Sequence, residues 1–340
     1  MILAGGLSTR LYPLTKQVPK PLVPVAGEPN AAHVIRYLKQ YGFDEIAINV
    51  HYLADAIIDT LGDGSRFGVK LEYLHEDKLM GSAGAVKQMQ SYFGDETFVV
   101  VGCDDLTDLP LDEVLKMHAE KRAVATIALV ERDDVEQYGV VVCADDGRII
   151  GFQEKPAKGT ERSKLVNTGI YVFSPEIFEH IPANEFYDFG KQVFPALQQA
   201  NAAFYGFDAR TAYWVDIGTP SEYRRATADV LNGVVRIPGT RANGADASAH
   251  IAHTAEIDRN VWIGAHANIG DNVRIIGPSV IGDHTVVEAG AKIERSIVWD
   301  DSTIGSGAVL SEAIVGNGYV VPPRIKLNGD VIANEKVSTT

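Results

Sequence analysis

Up to about residue 230, short apolar runs alternate with stretches of helical periodicity. Ile46-Ala47-Ile48-Asn49-Val50, Lys70 to Leu74, Phe98 to Val101, Ala125 to Val130 and Gly169 to Phe173 have strand length and β-branched or aromatic content. Between them, Val34, Ile35, Leu38 and Tyr41 recur at helical spacing and predict a helix over 30–41, with Gly42 as its stop. Such alternation over this length predicts an α/β domain with a largely parallel central sheet. Ligands of such sheets bind in the crevice at the carboxyl ends of the strands. Three punctuated segments that follow strand signals therefore become candidates: Ala4 to Arg10, Gly102 to Asp108 and Asp216 to Thr219.

From about residue 250 the pattern changes. Ile251, Ile257, Ile263, Ile269, Ile275, Ile281, Val287 and Ile293 recur at an unbroken spacing of six, and Ile263, Ile269, Ile281 and Ile304 are each followed by Gly. A five-residue step leads to Val298, six-residue spacing resumes through Ile304 and Leu310, and a second five-residue step leads to Val315 and on to Val321. No amphipathic helix has that period, whereas a solenoid coil built from three six-residue faces does. The tail is expected to be a parallel β-helix of about four coils. The partition read from the chain is a first domain over 1–233, a connector over 234–250 rich in Pro, Gly and Asn, the repeat domain over 251–325 and a tail over 326–340.

Composition adds bounds rather than a function. With 46% hydrophobic and 22% charged residues in 340, the chain reads as an ordinary globular protein of two domains. No apolar run approaches the ~20 residues of a membrane span, and the start MILAGGLSTR has no signal-peptide form, so the expected compartment is the cytoplasm. Cys103 and Cys143 are too few for a disulfide framework or a tetrathiolate zinc site and read as packing residues. A net charge of −14 excludes a broad nucleic-acid surface. Against that background, residues 1–27 hold Arg10, Lys16 and Lys20 and no acid, which marks them for phosphate chemistry.

The segment Leu3-Ala4-Gly5-Gly6-Leu7-Ser8-Thr9-Arg10-Leu11 places small residues after a strand, where the backbone can approach a ligand and exposed N–H groups can cradle a polyphosphate. Arg10 and Lys20 would supply fixed positive charge to a leaving group bearing several negative charges. Neither GxxxxGK[ST] nor GxGxxG is present in this stretch. Ser8 sits where φ > 0 would strain it; with φ < 0, its hydroxyl would be an extra phosphate donor.

LAGGLSTRLYPLT followed by PKPLVPVAGEP closely resembles the N-terminal signature of the sugar-1-phosphate nucleotidylyltransferases, the nucleotide-sugar pyrophosphorylases. The resemblance continues through Gly81-Ser82-Ala83-Gly84-Ala85, Asp104-Asp105-Leu106-Thr107-Asp108, Glu154-Lys155-Pro156, Asn167-Thr168-Gly169 and Asp216-Ile217-Gly218-Thr219-Pro220, covering the first domain in order. Within the family it looks most like mannose-1-phosphate guanylyltransferases with a hexapeptide-repeat tail. The implied fold is a Rossmann-like nucleotidyltransferase domain with a mixed, mostly parallel sheet, followed by a left-handed parallel β-helix. Two departures stand out: family members usually carry two or three more residues before this signature, and commonly have Gly where Ser8 stands.

Carried over by position, the resemblance makes Arg10 and Lys20 the triphosphate and pyrophosphate ligands, and Asp104 and Asp216 the carboxylates of a Mg²⁺ ion. Mg²⁺ needs only one or two carboxylates, with water and phosphate oxygens completing its shell. Asp105 and Asp108 read as turn or helix-cap residues. Lys155 would bind the phosphate of a sugar 1-phosphate, Glu154 the ring hydroxyls, Gly139 the sugar by its N–H, and Asn167 and Thr168 the sugar by side chain. Leu3, Ala4, Gly5, Gly6, Ser8, Thr9, Glu76, Gly81 and Ser82 line the implied nucleotide site, with Glu76, Gly81 and Ser82 at the base.

The implied reaction is attack by a hexose 1-phosphate oxygen on the α-phosphorus of a nucleoside triphosphate, giving an NDP-sugar and pyrophosphate. The first expectation is GTP with mannose 1-phosphate; the alternative is uridylyl or thymidylyl transfer to glucose 1-phosphate. A phosphate monoester is already a competent anion, which fits a site of Arg, Lys and Asp without a nucleophile–base pair. Two rivals remain. An inactive scaffold of the same fold should lack a metal Asp or a signature cation, and Arg10, Lys20, Asp104, Lys155 and Asp216 are all present. An acyltransferase tail would use a coil histidine as base, but the spacing of His266 and His284, one full coil apart, reads as repeat geometry. The open end coils and flat faces of the β-helix predict a homo-oligomer.

Overall fold

The computed structural model describes residues 1–239, 241 and 243–334. They fall into two compact units, one built from Met1–Gly6 and Val34–Trp214, the other from Leu7–His33 and everything after Trp214. The chain crosses between them inside the glycine-rich stretch, so residues 7–33 and 215–233 group with the repeat domain, which a linear partition does not express.

The first unit is a nine-stranded mixed sheet. Its strands are β1 (Ile2–Leu3), β2 (Glu45–Val50), β3 (Lys70–His75), β4 (Phe98–Gly102), β5 (Ala125–Glu131), β6 (Gly139–Cys143), β7 (Ile149–Glu154), β8 (Leu165–Phe173) and β9 (Phe204–Asp208). Seven lie in the order β7-β6-β8-β4-β1-β2-β3; β5 joins β8 and carries β9. The segment β4-β1-β2-β3 is parallel, whereas β8 runs antiparallel to β4, β5 and β6. In β1, Ile2 sits opposite both Ile48 and Val101, and Leu3 opposite Asn49 and Gly102. Two residues suffice for a central strand because both neighbours are long, apolar and buried.

Aromatic residues are few but concentrated. Phe98, Phe173, Phe178, Phe189, Phe194 and Phe204 share one buried cluster, with ring centroids of Phe173 and Phe189 4.9 Å apart and those of Phe98 and Phe178 5.4 Å apart. Each ring contributes roughly 1.5–3 kcal/mol of burial.

The same unit buries His118, whose Nδ1 lies 2.9 Å from Thr126 Oγ1 and Nε2 3.0 Å from Ser174 Oγ. Burial lowers its pKa to about 4, an effect that Glu176 only partly opposes. The unfolded imidazole titrates near ~6.5 and therefore binds a proton that the native state refuses, so stability is full above that pH and declines as pH falls towards 4. The loss is expected to reach as much as ~3 kcal/mol, and His118→Asn should flatten that part of the stability–pH curve in urea titrations.

In the second unit, residues 244–332 form a left-handed parallel β-helix with three faces of six, five and five strands. Equivalent positions stack in register, as in Ile251↔Ile269, Ile269↔Val287, Val287↔Ile304 and Ile304↔Val321. The inward residues Ile269, Ile275, Ile281, Ile293, Ile304 and Leu310 are fully buried. These strands make five coils and the start of a sixth, not about four. Gly244–Ala245 already pairs with Trp262–Ile263, inside the segment read as connector, and Lys326–Asn328 and Val331–Ile332 extend the helix into the segment read as tail. Residues 335–340 of that tail lie outside the described residues.

Each corner of the coil is tight. A Cβ on Gly264 or Gly282 would run into the aspartate of the following coil, Asp283 or Asp300. Those aspartates instead accept the N–H groups of Ala265 at 2.7 Å and Asp283 at 2.8 Å. His266 and His284 occupy successive corners at φ 55° and stack with centroids 5.1 Å apart. The helix Pro220–Leu231 is N-capped by Thr219, which accepts the Glu222 N–H at 3.2 Å, with Pro at its first position. Tyr223 of this helix is fully buried, donates to Pro24 O at 2.6 Å and accepts from Trp299 Nε1 at 2.9 Å. That pair explains why residues 7–33 and 215–233 belong with the β-helix.

Candidate active site

In the first unit the glycine-rich turn leaves β1 at Ala4. Its backbone N–H donates to Asn49 Oδ1 at 2.9 Å, and Asn49 Nδ2 donates to Glu76 Oε2 at 2.6 Å. The other oxygen of Glu76 accepts the Met80 N–H at 3.0 Å, at the entry to the helix Gly81–Gln88. Asn49 is 4% and Glu76 3% exposed. A Cβ on Gly5 would lie 2.8 Å from both Asn49 Nδ2 and Glu76 Oε2, so only glycine fits against this pair. Glu76 was expected at the base of the nucleotide. The structure buries it, with both carboxylate oxygens also bonded within the protein.

The helix Gly81–Gln88 opens on small residues because it lies against the backbone of 185–189. Ala83 and Gly84 N–H both donate to Tyr187 O at 3.0 Å, and a Cβ on Gly81 would strike that oxygen. Ser82 Oγ donates to Asp188 Oδ2 at 3.1 Å and accepts the Phe189 N–H at 3.0 Å. Asp188 also caps a π-helical turn, Phe189–Val193, by accepting the Lys191 N–H; such turns are frequent at functional sites. Neither Asn49 nor Asp188 stands out in the linear sequence as a site residue.

Asp104 follows β4 and is half-buried. Asp105 is buried and accepts the Gly102 N–H and Trp214 Nε1–H, both at 3.0 Å, while Asp108 accepts the Tyr213 N–H at 2.7 Å. Asp105 thus closes the local turn after β4 and ties it to Trp214, whereas the bond of Asp108 reaches a residue distant in sequence rather than its own turn.

The implied sugar side lies on β6, β7 and β8. Glu154 stands opposite Gly139 in the β6–β7 ladder, and Cβ atoms on Gly139 and Gly190 would lie 3.1 and 2.6 Å from Glu154 Oε2. The pKa of Glu154 is raised, chiefly by burial and also by Asp188, against the opposing charge of Lys155. Lys155 is exposed and holds φ 45°, with its N–H donating to Tyr138 O at 3.0 Å. Left-handed backbone at a non-glycine costs about 1 kcal/mol or more and clusters where function demands it. Asn167 donates to Tyr171 Oη at 3.0 Å and accepts the Gly169 N–H at 2.9 Å. Thr168 was expected to meet sugar by side chain, but it is 2% exposed and its hydroxyl donates to Ala128 O at 2.8 Å. It follows the alternation of β8, which buries Val166, Thr168 and Ile170 on one face.

In the second unit, Leu7 to Leu22 fold as short 3₁₀ turns over Thr9–Leu11, Leu14–Lys16 and Lys20–Leu22. Ser8 does take the left-handed conformation, φ 54° and ψ 42°, and its carbonyl accepts Thr15 Oγ1–H at 2.7 Å. Lys20, 9% exposed, places Nζ 3.1 Å from Asp216 Oδ1, and Arg10 Nη2 lies 3.6 Å from Asp216 Oδ2. A Cβ on Gly218 would lie 2.8 Å from Arg10 Nη2 and 2.9 Å from both Asp216 oxygens. The arrangement brings two cations to one carboxylate, as a polyphosphate or metal–phosphate ligand requires.

Residues 1–233 match the family model described as nucleotidyl transferase. The chain belongs to the nucleotidyl transferase family. Residues 245–339 of this nucleotidyl transferase match the model described as the EIF2B subunit epsilon LbH domain. It is 39% identical to the UTP–glucose-1-phosphate uridylyltransferase of Synechocystis sp., over 94% of this chain and 88% of that one. It is 31% identical to the mannose-1-phosphate guanylyltransferase of Mycobacterium tuberculosis, over 87% of this chain and 82% of that one. Among solved structures, HddC from Yersinia pseudotuberculosis superposes with a TM-score of 0.58 at 30% identity, covering 66% of this chain and 96% of that one.

Proposed function

We propose that this nucleotidyl transferase condenses a nucleoside triphosphate with a hexose 1-phosphate. A phosphate oxygen of the sugar forms a bond to the α-phosphorus, the bond from the α-phosphorus to the bridging oxygen breaks, and pyrophosphate leaves. Sugar-1-phosphate nucleotidyl transfer is supported by the family. The observation in the fold that carries this reading is the convergence of Arg10 and Lys20 on Asp216 beside Gly218.

Arg10 and Lys20 are assigned to the triphosphate, whose leaving end they neutralise, and the backbone of Ala4 to Thr9 to its oxygens. Lys155 is assigned to the sugar phosphate, where it offsets repulsion between two anionic substrates. Glu154, Asn167 and the Gly139 N–H are assigned to the ring. Glu154 is an acceptor suited to vicinal hydroxyls.

Mg²⁺ is the proposed cofactor, with Asp104 and Asp216 as its carboxylates. Among the described residues, no group of three or more His, Cys, Asp or Glu side chains could hold a metal. Hard carboxylate oxygens in such small number suit an ion that completes its shell with water and phosphate oxygens. When bound, Mg²⁺ supplies charge neutralisation between the α-phosphate and the departing pyrophosphate.

For the substrate pair, the higher identity to the Synechocystis relative supports UTP with glucose 1-phosphate as the first reading. Similarity to the guanylyltransferases supports GTP with mannose 1-phosphate as the second. A matrix of four nucleoside triphosphates against glucose, mannose and N-acetylglucosamine 1-phosphates, read by pyrophosphate release, separates them.

A cytoplasmic enzyme is the proposed setting; among the described residues no helix is long and apolar enough to cross a membrane. Self-association through the β-helix is also proposed. Val286 and Val320 stand exposed on one face, at outward positions of the stack that includes Thr303. Sedimentation equilibrium should return a multiple of 36.8 kDa, and a monomer mass would refute this part.

A further inference from the structure

Two tryptophans of the β-helix are buried although they lie outside its core. Trp262 stands in the strand Val261–Ile263 and Trp299 directly after Ile297–Val298, two strands of one face, and they are 8% and 3% exposed. What covers them is the segment that carries Lys20. A two-stranded hairpin, Pro24–Val25 with Glu28–Pro29, follows the Lys20 turn. Gly27 sits at its tip with φ 78°, and a Cβ there would run into the Trp262 ring.

Trp299 reaches the same hairpin through one side chain. Its Nε1–H can only donate, and it meets Tyr223 Oη at 2.9 Å, so the phenol proton must point elsewhere. That proton goes to Pro24 O at 2.6 Å, a carbonyl that can only accept. Burial raises the pKa of Tyr223 and keeps the proton in place. Both bonds therefore have a fixed direction.

The relay ends on the two members of one ion pair. Pro24 lies four positions after Lys20, and the turn between them is closed by Val23 N–H donating to Lys20 O at 3.1 Å. Tyr223 lies seven positions after Asp216, in the helix Pro220–Leu231. Lys20 Nζ and Asp216 Oδ1 are 3.1 Å apart. One hydroxyl thus ties together the segment of the cation, the helix behind the carboxylate and the β-helix.

We propose that Trp299 and Tyr223 are positioning residues through which the β-helix holds the Lys20 ammonium where the departing pyrophosphate needs it. This rests on the nucleotidyl-transfer reading, with Lys20 as a pyrophosphate ligand. The repeat domain then belongs to the catalytic apparatus as well as to an oligomer. The sugar phosphate, assigned to Glu154, Lys155 and Asn167 of the first unit, draws nothing from this relay.

Tyr223→Phe keeps the ring and removes both bonds, whereas Trp299→Phe removes only the bond that orients the hydroxyl. Wild type, these two variants, Lys20→Gln and the double variant Lys20→Gln/Tyr223→Phe are compared by KM for each substrate, kcat, calorimetric binding of metal-free pyrophosphate and thermal midpoint. Tyr223→Phe is expected to weaken pyrophosphate binding and raise the triphosphate KM by about tenfold, and Trp299→Phe by about threefold, with the sugar phosphate KM within about twofold of wild type. Because the effect runs through Lys20, the double variant is expected to bind pyrophosphate within about twofold of Lys20→Gln alone.

Single variants with lower thermal midpoints but unchanged pyrophosphate binding and triphosphate KM would overturn the proposal, by showing a joint that only packs. A further loss of about tenfold in the double variant would also overturn it, since the hydroxyl would then act independently of Lys20. If Tyr223→Phe does not fold, Trp299→Phe and Lys20→Gln/Trp299→Phe carry the same comparison. Failure of the functional reading looks different: wild type would release no pyrophosphate with any substrate pair, whatever the variants bind.

Discussion

Pyrophosphate release by Asp104→Asn is expected to fall by about 10²–10³-fold at saturating Mg²⁺, with little change in thermal midpoint. The substitution keeps the volume of a half-buried side chain at the end of β4 and removes the charge assigned to the metal. Its neighbour gives the contrast. Asp105→Ala would orphan the Gly102 N–H and Trp214 Nε1–H, both held at 3.0 Å, and should lower stability by about 2–4 kcal/mol. Asp216→Asn combines the two effects, because it also removes the negative charge that the buried Lys20 ammonium faces at 3.1 Å. Asp104→Asn is therefore followed by activity and thermal midpoint together, so that loss of charge is told from loss of fold. Turnover within a few-fold of wild type in Asp104→Asn, measured by coupled pyrophosphate assay, would remove it from the metal site.

Gly5→Ala should be nearly as damaging, by another route. The added methyl would sit 2.8 Å from Asn49 Nδ2 and Glu76 Oε2 and 3.2 Å from Leu79 Cδ2. The first two atoms belong to a bonded buried pair that cannot yield without orphaning Ala4 N–H or Met80 N–H. The turn must move instead, and triphosphate affinity is expected to drop by about 10²-fold, with a stability loss of about 1–3 kcal/mol. Gly6→Ala gives the contrast in stability, since a Cβ there meets no protein atom within 4 Å and the thermal midpoint is expected to hold. Titration calorimetry of Gly5→Ala with the triphosphate checks the first effect; wild-type affinity would show that the turn is not held by the pair.

What was legible in the chain follows from where the determinants lie. The β-helix was readable because each coil needs an inward aliphatic at the same phase, and Ile251 to Ile293 supply it without a break. Its start was not, because the first phase position is Ala245, too small to register; at its end Leu327 and Ile332 continue the same six- and five-residue steps beyond the boundary drawn at 325. Arg10 and Lys20 stood out as cations in an acid-free stretch and Asp216 through its resemblance to the family motif, and the structure places the three side by side. Asp105 and Asp108 were read as turn or helix-cap residues; the bond of Asp105 to Gly102 N–H is of that local kind, but its bond to Trp214 and that of Asp108 to Tyr213 tie together segments distant in sequence.

Asn49, Glu76, Asp188 and Thr168 depended on contacts distant in sequence or on a backbone irregularity. Asn49 acquires its meaning only from Glu76, 27 positions on, and Ala4, 45 positions back. Asp188 acquires its own from Ser82 and a π-helical turn that no periodicity announces. In the alternation of β8, Thr168 shares a face with Val166 and Ile170, and that this face is the covered one shows only in the packed sheet.

The most direct measurement is pyrophosphate release by the full chain with each nucleoside triphosphate and each hexose 1-phosphate, with and without Mg²⁺. Release that requires all three components, greatest with UTP and glucose 1-phosphate or with GTP and mannose 1-phosphate, is the predicted result. No release from a folded, nucleotide-exposed protein with any pair would contradict the account and leave a scaffold of the same fold.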